Sequence, residues 1–282
     1  MVNKKPDLAF SIDFEGFVEG MEESFHIPKY YARYNIFDEL NSNLDFCLEF
    51  LDQNNIEATF FIIGWIAEKY PTLIKNICNN GHEVASHSLY HRRLTNLSVD
   101  LVKEYISKSK KILEDISGVD VLGFRAPDFC LPQDESILDY MLQLGYKYDS
   151  SIVSTSLHDV YKGQSGSPNI YYYKNGLIEF PVSTFTISKY FSLPVGGGGY
   201  FRLYPTFITK YFMKTRSNPI YYIHPYELSG NYPKEVSMSI LRKFRHTFNI
   251  CKVADKTRVL INDFVPISII SYLKKNNLID TI

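Results

Sequence analysis

Apolar positions along this chain switch between two periods. Leu8-Ala-Phe-Ser-Ile12 is a short, nearly continuous apolar run, the pattern of a buried strand, and it ends in Asp13-Phe-Glu-Gly16. From Phe37 to Asn54 the spacing becomes helical, with Leu40, Leu44, Cys47, Leu48 and Leu51 on one side and a stop at Asn54-Asn55. Ala58-Thr-Phe-Phe-Ile-Ile63 predicts a second buried strand closed by Gly64, Trp65 to Asn79 a helix, and His82 to Ser86 a third strand. The pattern continues with a helix over Leu101 to Ser117, a strand over Val121 to Phe124, and a helix over Ile137 to Leu144 capped by Gly145. The acidic and aromatic stretch up to about Asn35 reads as a loop. The tyrosine-rich stretch from Ser154 to Gly176 reads as a loop able to cover a site. Strands alternating with helices, with no repeat and no low-complexity linker, predict one α/β domain over residues 1–282, a parallel sheet covered by helices, open or closed into a barrel.

Composition narrows the partners. A chain of 282 residues can bury a sizeable core, and 45% hydrophobic with 22% charged residues is ordinary for a globular protein. The formal net charge of -1 gives no reason to expect nucleic acid or an anionic membrane as partner. Four cysteines without a CxxC argue against a disulfide scaffold or a zinc knuckle. The apolar run after the N-terminus is too short for a signal-peptide core, and no stretch approaches the roughly 20 apolar residues of a membrane span, so a cytoplasmic location is expected. The 22 Tyr and 20 Phe lean mildly toward a sugar site, because flat rings cover the apolar faces of pyranoses.

The chemistry-bearing residues are sparse and spaced. His87 and His91, four apart, can meet one divalent metal from one face of a helical turn. Asp13 and Glu15, two apart at a strand end, point the same way and need a partner if buried. Each pair alone has a plainer reading as solvated surface residues. What joins them is position: Asp13, Glu15, His87, His91, Arg125, Asp149 and His224 all fall close after predicted strands, and the carboxyl ends of barrel strands form a catalytic face. Val195-Gly-Gly-Gly-Gly-Tyr-Phe-Arg202 lacks the GK[ST] ending of a phosphate-binding loop. Its glycines permit close backbone approach to a ligand, with Gly199, Tyr200 and Arg202 as substrate contacts; a flexible barrel loop fits the same residues. His158 reads as a surface histidine.

Taken together, the ordered segments Ser11-Ile-Asp-Phe-Glu-Gly16, Thr59-Phe-Phe61, His87-Ser-Leu-Tyr-His91, Phe124-Arg-Ala-Pro127, Tyr148-Asp-Ser-Ser151 and Tyr222-Ile-His-Pro-Tyr-Glu227 resemble the polysaccharide deacetylase family, carbohydrate esterase family 4. Gly64-Trp-Ile-Ala-Glu-Lys-Tyr-Pro71, Gly197-Gly-Gly-Tyr-Phe-Arg202 and Phe244-Arg-His246 resemble its branch from exopolysaccharide and surface-glycan loci. The resemblance runs over about residues 8 to 265. It implies a distorted (β/α) barrel of about seven strands and a metal-assisted N-deacetylase. Glu15, His87 and His91 would hold one divalent ion, expected to be zinc. Asp13 would be the base and His224 the acid; Arg125 would pair with Asp13, Asp149 would orient His224, and a backbone N–H near Asp128 would help hold the oxyanion. The family's motif has two adjacent aspartates, whereas Phe14 separates Asp13 from Glu15 here, so the two acids could exchange roles. The implied substrate is an N-acetylated sugar or glycan precursor, nucleotide-linked or lipid-linked. Two other readings fit: a hydrolase of another C–N bond, such as a cyclic amide or imide, and a catalytically silent sugar-binding relative.

Overall fold

Alternate residues of the first strand face different cores, and that alternation organises the molecule. In the computed structural model, which describes residues 4–21, 35–155, 166–188, 191–234 and 239–280, β1 (Asp7–Phe14) turns Phe10, Ile12 and Phe14 outward against α1 (Ile36–Gln53). Ala9 faces an inner cluster with Phe61, Ala85, Tyr148, Ile178, Phe180 and Ile220, one residue from nearly every strand. Seven strands run parallel in the order β10 (Ile220–Ile223), β1, β2 (Thr59–Ile62), β3 (Glu83–Ser86), β4 (Gly123–Phe124), β5 (Tyr148–Asp149), β7 (Ile178–Glu179). β6 (Tyr171–Tyr172) adds antiparallel to β7, β11 (Val265–Ile267) pairs with the start of β1, and β8 (Thr184–Ser188) and β9 (Phe191–Pro194) form a separate hairpin.

The helices that follow α1 are α2 (Gly64–Lys69), α3 (Pro71–Asn79), α4 (Val99–Ser117), α5 (Glu135–Gln143), α6 (Gly198–Leu203), α7 (Thr206–Lys214), α8 (Pro225–Ser229), α9 (Ile240–Thr247), α10 (Val253–Ile261) and α11 (Ile269–Lys275). None of the described helices is long and apolar enough to cross a membrane. Two local expectations change. The helix expected over Trp65 to Asn79 is two helices, because Pro71 has no N–H to offer and Tyr70 before it is held at φ -131°, ψ 60°. The segment from His87 to His91 is not helical: Ser88 is left-handed at φ 68°, and the carbonyls of Ser88 and Leu89 accept the N–H groups of Gly64 (2.9 Å) and Trp65 (3.0 Å). The orphan donors at the start of α2 thus pin the histidine loop in place.

Closure of the barrel falls to the glycine run. Val182 pairs with Val153, extending β7; Ser183 O then accepts the N–H groups of Val195 (2.9 Å) and Gly196 (3.1 Å), and Gly196 O accepts from Tyr222 N of β10 (2.7 Å). A Cβ on Gly197 would lie 2.1 Å from Tyr222 O, and one on Gly196 2.9 Å from Ile220 O. The glycines therefore permit close approach to a strand, not to a ligand as the sequence suggested. The result is the expected distorted (β/α) barrel, a path of seven parallel strands with β11 added parallel to β1.

Candidate metal centre and active site

Strand alternation decides which side chains reach the barrel mouth. Asp13 and Glu15 continue the inward set of β1, His87 that of β3 after Ala85, Arg125 that of β4, and His224 that of β10 after Ile220 and Tyr222. Glu15, His87 and His91, all buried, bring one ligand atom each within 4.8 Å of one another. Glu15 Oε2 lies 2.9 Å from His91 Nε2 and 3.8 Å from His87 Nε2, yet this buried oxygen makes no aligned hydrogen bond. His87 Nδ1 is 2.7 Å from Arg125 O, a carbonyl that can only accept, so the proton sits on Nδ1 and the Nε2 lone pair faces Glu15. Two imidazoles and a carboxylate around an orphaned buried oxygen are a donor set that suits a divalent ion such as zinc.

Arg125, fully buried, forms the floor beneath them. Its Nη1 donates to Asp13 Oδ1 (2.6 Å) and to Ser11 Oγ (3.0 Å); Nη2 donates to Ser150 Oγ (2.9 Å), Nε to Ser150 O (3.2 Å). The guanidinium also stands 4.0 Å from the Phe61 ring centroid. Buried this deeply, an arginine needs its charge answered, and Asp13 answers it.

His224 stands across the mouth, its Nε2 3.3 Å from Glu15 Oε1. Its side chain keeps 19% exposure, against 3–4% for Asp13, Glu15, His87 and His91, so it is the group nearest the entrance. Nδ1 donates to Glu227 Oε2 at 2.7 Å, and Oε2 also accepts from the His224 backbone N–H at 3.2 Å. Glu227 Oε1 is held in turn by the buried Arg202 Nη1. Tyr226 stacks on the imidazole, 5.1 Å between centroids. Pro225 opens α8 at once, so His224 and Glu227 share the first helical turn, His224 as its N-cap and Glu227 three residues on.

Three sequence assignments change here. Asp149 does not orient His224: Tyr148 faces the barrel interior, so Asp149, one residue on, faces the other way, where it accepts from Ser151 Oγ (2.6 Å) beside Glu179. Burial pushes the Asp149 and Glu179 carboxyls upward as a pair. Arg202 is not a substrate contact, being buried against Glu227 and the carbonyl of Arg245 (2.8 Å). Gly199 sits in the first turn of α6 facing that same carbonyl, 3.7 Å from where its Cβ would be, while Tyr200 lies near Tyr222. Asp128 receives Arg93 Nε at 2.7 Å, and with Phe129 it forms two successive left-handed residues, φ 51° and 56°. Strain of this kind costs about 1–3 kcal/mol per residue and collects at functional sites. His158 lies outside the described residues.

Burial dominates the electrostatics. It pushes His87 down to about 3 and His224 down to about 4. At His91 burial also pulls downward, but the Glu15 carboxylate beside it prevails and holds the imidazole up to about 10. Glu19 is a participant that sequence reasoning missed. Buried, bonded through Trp65 Nε1 and close to Glu15 and His91, it is pushed up to about 8 by burial. Nothing in its sequence neighbourhood signals this; Glu227 was missed too, although the His-Pro-x-Glu spacing of a helix start is a signal that could have found it.

The family profile described as polysaccharide deacetylase matches residues 34–148. A peptidoglycan-N-acetylglucosamine deacetylase of Bacillus cereus is 34% identical over 119 residues, 42% of this chain and 41% of that protein. The crystal structure of a candidate polysaccharide deacetylase from Mycobacterium smegmatis superposes with a TM-score of 0.63 at 20% identity, covering 97% of this chain and 90% of that one. Over residues 34–148 this chain carries a polysaccharide deacetylase domain. A second profile, a domain of unknown function (DUF3473), matches residues 150–274. The deacetylase profile thus includes His87, His91 and Arg125, and the second includes Arg202, His224 and Glu227, while Asp13 and Glu15 precede both. The chain spans less than half the length of the curated relatives it matches. Its fold is also shared by a family 4 pseudoenzyme from Bacillus anthracis, with a TM-score of 0.53 at 13% identity, so the barrel alone does not confer activity.

Proposed function

We propose that this chain is a metal-dependent N-deacetylase that hydrolyses the acetamido group of an N-acetylated sugar during surface-glycan biosynthesis. The observation that carries the reading is the convergence of Glu15, His87 and His91 within 4.8 Å, flanked by the Asp13–Arg125 pair and by His224. A divalent ion held by those three would polarise the acetamido carbonyl and acidify a water. Asp13, fixed by Arg125, accepts the attacking water's proton. The Asp128–Phe129 turn offers a backbone N–H to the developing oxyanion. His224 enters the cycle neutral, its Nδ1–H committed to Glu227 and its Nε2 free to take a proton. Negative charge developing on the substrate raises that nitrogen's proton affinity, so Nε2 takes a proton from solvent at the entrance and delivers it to the amine nitrogen as the C–N bond breaks. Asp13 then returns the water's proton to solvent, leaving the free amine and acetic acid. The half-buried ring of Tyr200, near Tyr222, would contact the pyranose, while Tyr226 backs the His224 imidazole.

The matched relatives named as peptidoglycan-N-acetylglucosamine and chitooligosaccharide deacetylases support an acetamido sugar as substrate class. A cytoplasmic precursor, nucleotide- or lipid-linked, is part of the proposal, and cell fractionation tests its location. Acetate release from N-acetylglucosamine oligosaccharides by protein loaded with one equivalent of zinc is the deciding assay. No acetate but ring opening of a cyclic imide would favour the alternative C–N hydrolase. Sugar binding without either reaction would make the chain a silent relative.

A further inference from the structure

The basic and apolar residues of the C-terminal third are segregated. From Val236 to Ala254 the sequence carries four Lys/Arg (Arg242, Lys243, Arg245, Lys252) and no Asp or Glu, within a chain of net charge -1. That overall balance, which argued against an anionic membrane, averages away a local excess. Within this segment α9 places Ile240, Leu241 and Phe244 at the i, i+1, i+4 positions of one stripe, and they are 87%, 83% and 55% exposed. Lys243 and Arg245 are exposed on the same helix. Phe207 and Tyr211, one turn apart on α7, are 72% and 63% exposed, and Leu203 at the end of α6 is 55% exposed. Large apolar side chains left in water next to cationic ones are costly unless something covers them.

We propose that α9 is a docking element for an anionic lipid surface, with its apolar stripe in the headgroup boundary and its basic residues on the lipid phosphates. A helix with Lys/Arg beside exposed Ile, Leu and Phe has the composition of an interfacial helix, and the acid-free run supplies the charge complementarity such a surface demands. α9 is also tied to the catalytic machinery. Arg245 O accepts Arg202 Nη2 at 2.8 Å, and Arg202 in turn holds Glu227 and through it His224. Docking would therefore hold at the bilayer a helix bonded to the support of His224, where a lipid-anchored glycan presents its sugar. That consequence for substrate choice rests on the deacetylase reading; the lipid contact itself does not.

The experiment is co-sedimentation of the full chain with phosphatidylcholine vesicles, with and without phosphatidylglycerol, which is read without any turnover. Binding should appear on the anionic vesicles, weaken as salt rises to about 0.5 M, and fall about fivefold for Lys243→Gln. The Ile240→Ser/Leu241→Ser/Phe244→Ser variant should lose binding at least tenfold while keeping its thermal midpoint, since the replaced side chains are exposed. Absence of binding, or equal salt-insensitive binding to neutral vesicles, overturns the proposal. So does a stable dimer in sedimentation velocity that the triple variant dissolves, which would give this face to a second copy of the chain.

Discussion

The assignment of Glu227 rather than Asp149 as the partner of His224 can be decided by a pair of isosteric substitutions. Glu227→Gln keeps the side chain's size but removes its charge, and with it the ion pair to Arg202 and the charge-assisted 2.7 Å bond from His224 Nδ1. Arg202 is 5% exposed and would be left as an uncompensated buried cation. Breaking one side of such a pair costs about 3–5 kcal/mol, or about 6–20 °C in thermal midpoint for a chain of this size. The amide can also present its NH2 to Nδ1, favouring the tautomer with the proton on Nε2; in the serine-protease triad the equivalent change lowers turnover by about 10⁴-fold. We therefore expect kcat for acetate release to fall by about 10²–10⁴-fold with metal content unchanged, because Glu227 touches none of Glu15, His87 or His91. Asp149→Asn, on the outward face of β5, should change kcat by less than about tenfold and act chiefly on stability through Glu179. The assay is kcat and zinc stoichiometry on the two variants side by side, at a temperature where both are folded by circular dichroism. A larger kcat loss in Asp149→Asn than in Glu227→Gln, at equal metal content, would refute the reasoning.

Further outcomes follow from the same geometry. The His87→Ala/His91→Ala double variant should hold no stoichiometric zinc by plasma emission analysis, and full occupancy would remove the site. Asp13→Asn should keep zinc while losing about 10²–10⁴-fold in rate, whereas Glu15→Gln should lose zinc; the reverse result would exchange the two acids. Gly197→Ala, whose Cβ would meet Tyr222 O at 2.1 Å, should open the barrel closure and cost at least about 1–3 kcal/mol in urea melts. Glu83, under the barrel, is pushed up to about 7 by burial, so its contribution to stability is full below the unfolded value near 4.5 and is lost as pH rises through about 7. The stability difference between wild type and Glu83→Gln should drift against wild type across that window. His224 and His246, both pushed down to about 4 by burial, act oppositely, removing stability as pH falls from about 6.5 toward 4.

What the sequence made legible was whatever local pattern controls. Periodicity located β1 to β4 within about two residues, because apolar runs such as Ala58–Ile63 have no helical stripe to offer, but it gave no ranges for the later strands. The placement of chemical groups just past those runs already implied a common rim. The misses arose where a side chain's direction depends on register. Asp149 and His224 look alike in sequence, each a polar residue at a strand end, but Tyr148 takes the inward position of β5 and sends Asp149 outward. Likewise Arg202 after a glycine run looks like a ligand contact. Only when the run is seen bonded to β10 does it become clear that Arg202 is carried inward to Glu227. Glu19 has no local signal at all; its burial comes from packing against Trp65.

The division of the site between chain segments bears on how it can have function at all. β1, which carries Asp13 and Glu15, hydrogen-bonds β2 on one side and β10 on the other. The register Ser11 to Tyr222 sets Asp13 level with His224 on the neighbouring strand. Residues matched by the deacetylase profile supply two imidazoles and the arginine, but the proposed acid, His224, and its Glu227–Arg202 support come from the segment of unknown function. Removing that segment would take away β7, β10 and the glycine closure, leaving β1 with an open edge and Asp13 without His224 opposite. The segment of unknown function is thus, in this chain, the second wall of one barrel and of the proposed site. A mutation at the Gly196–Tyr222 seam should therefore impair His224 chemistry before it impairs metal binding, since the ligand loop after β3 is anchored to α2 on the far wall.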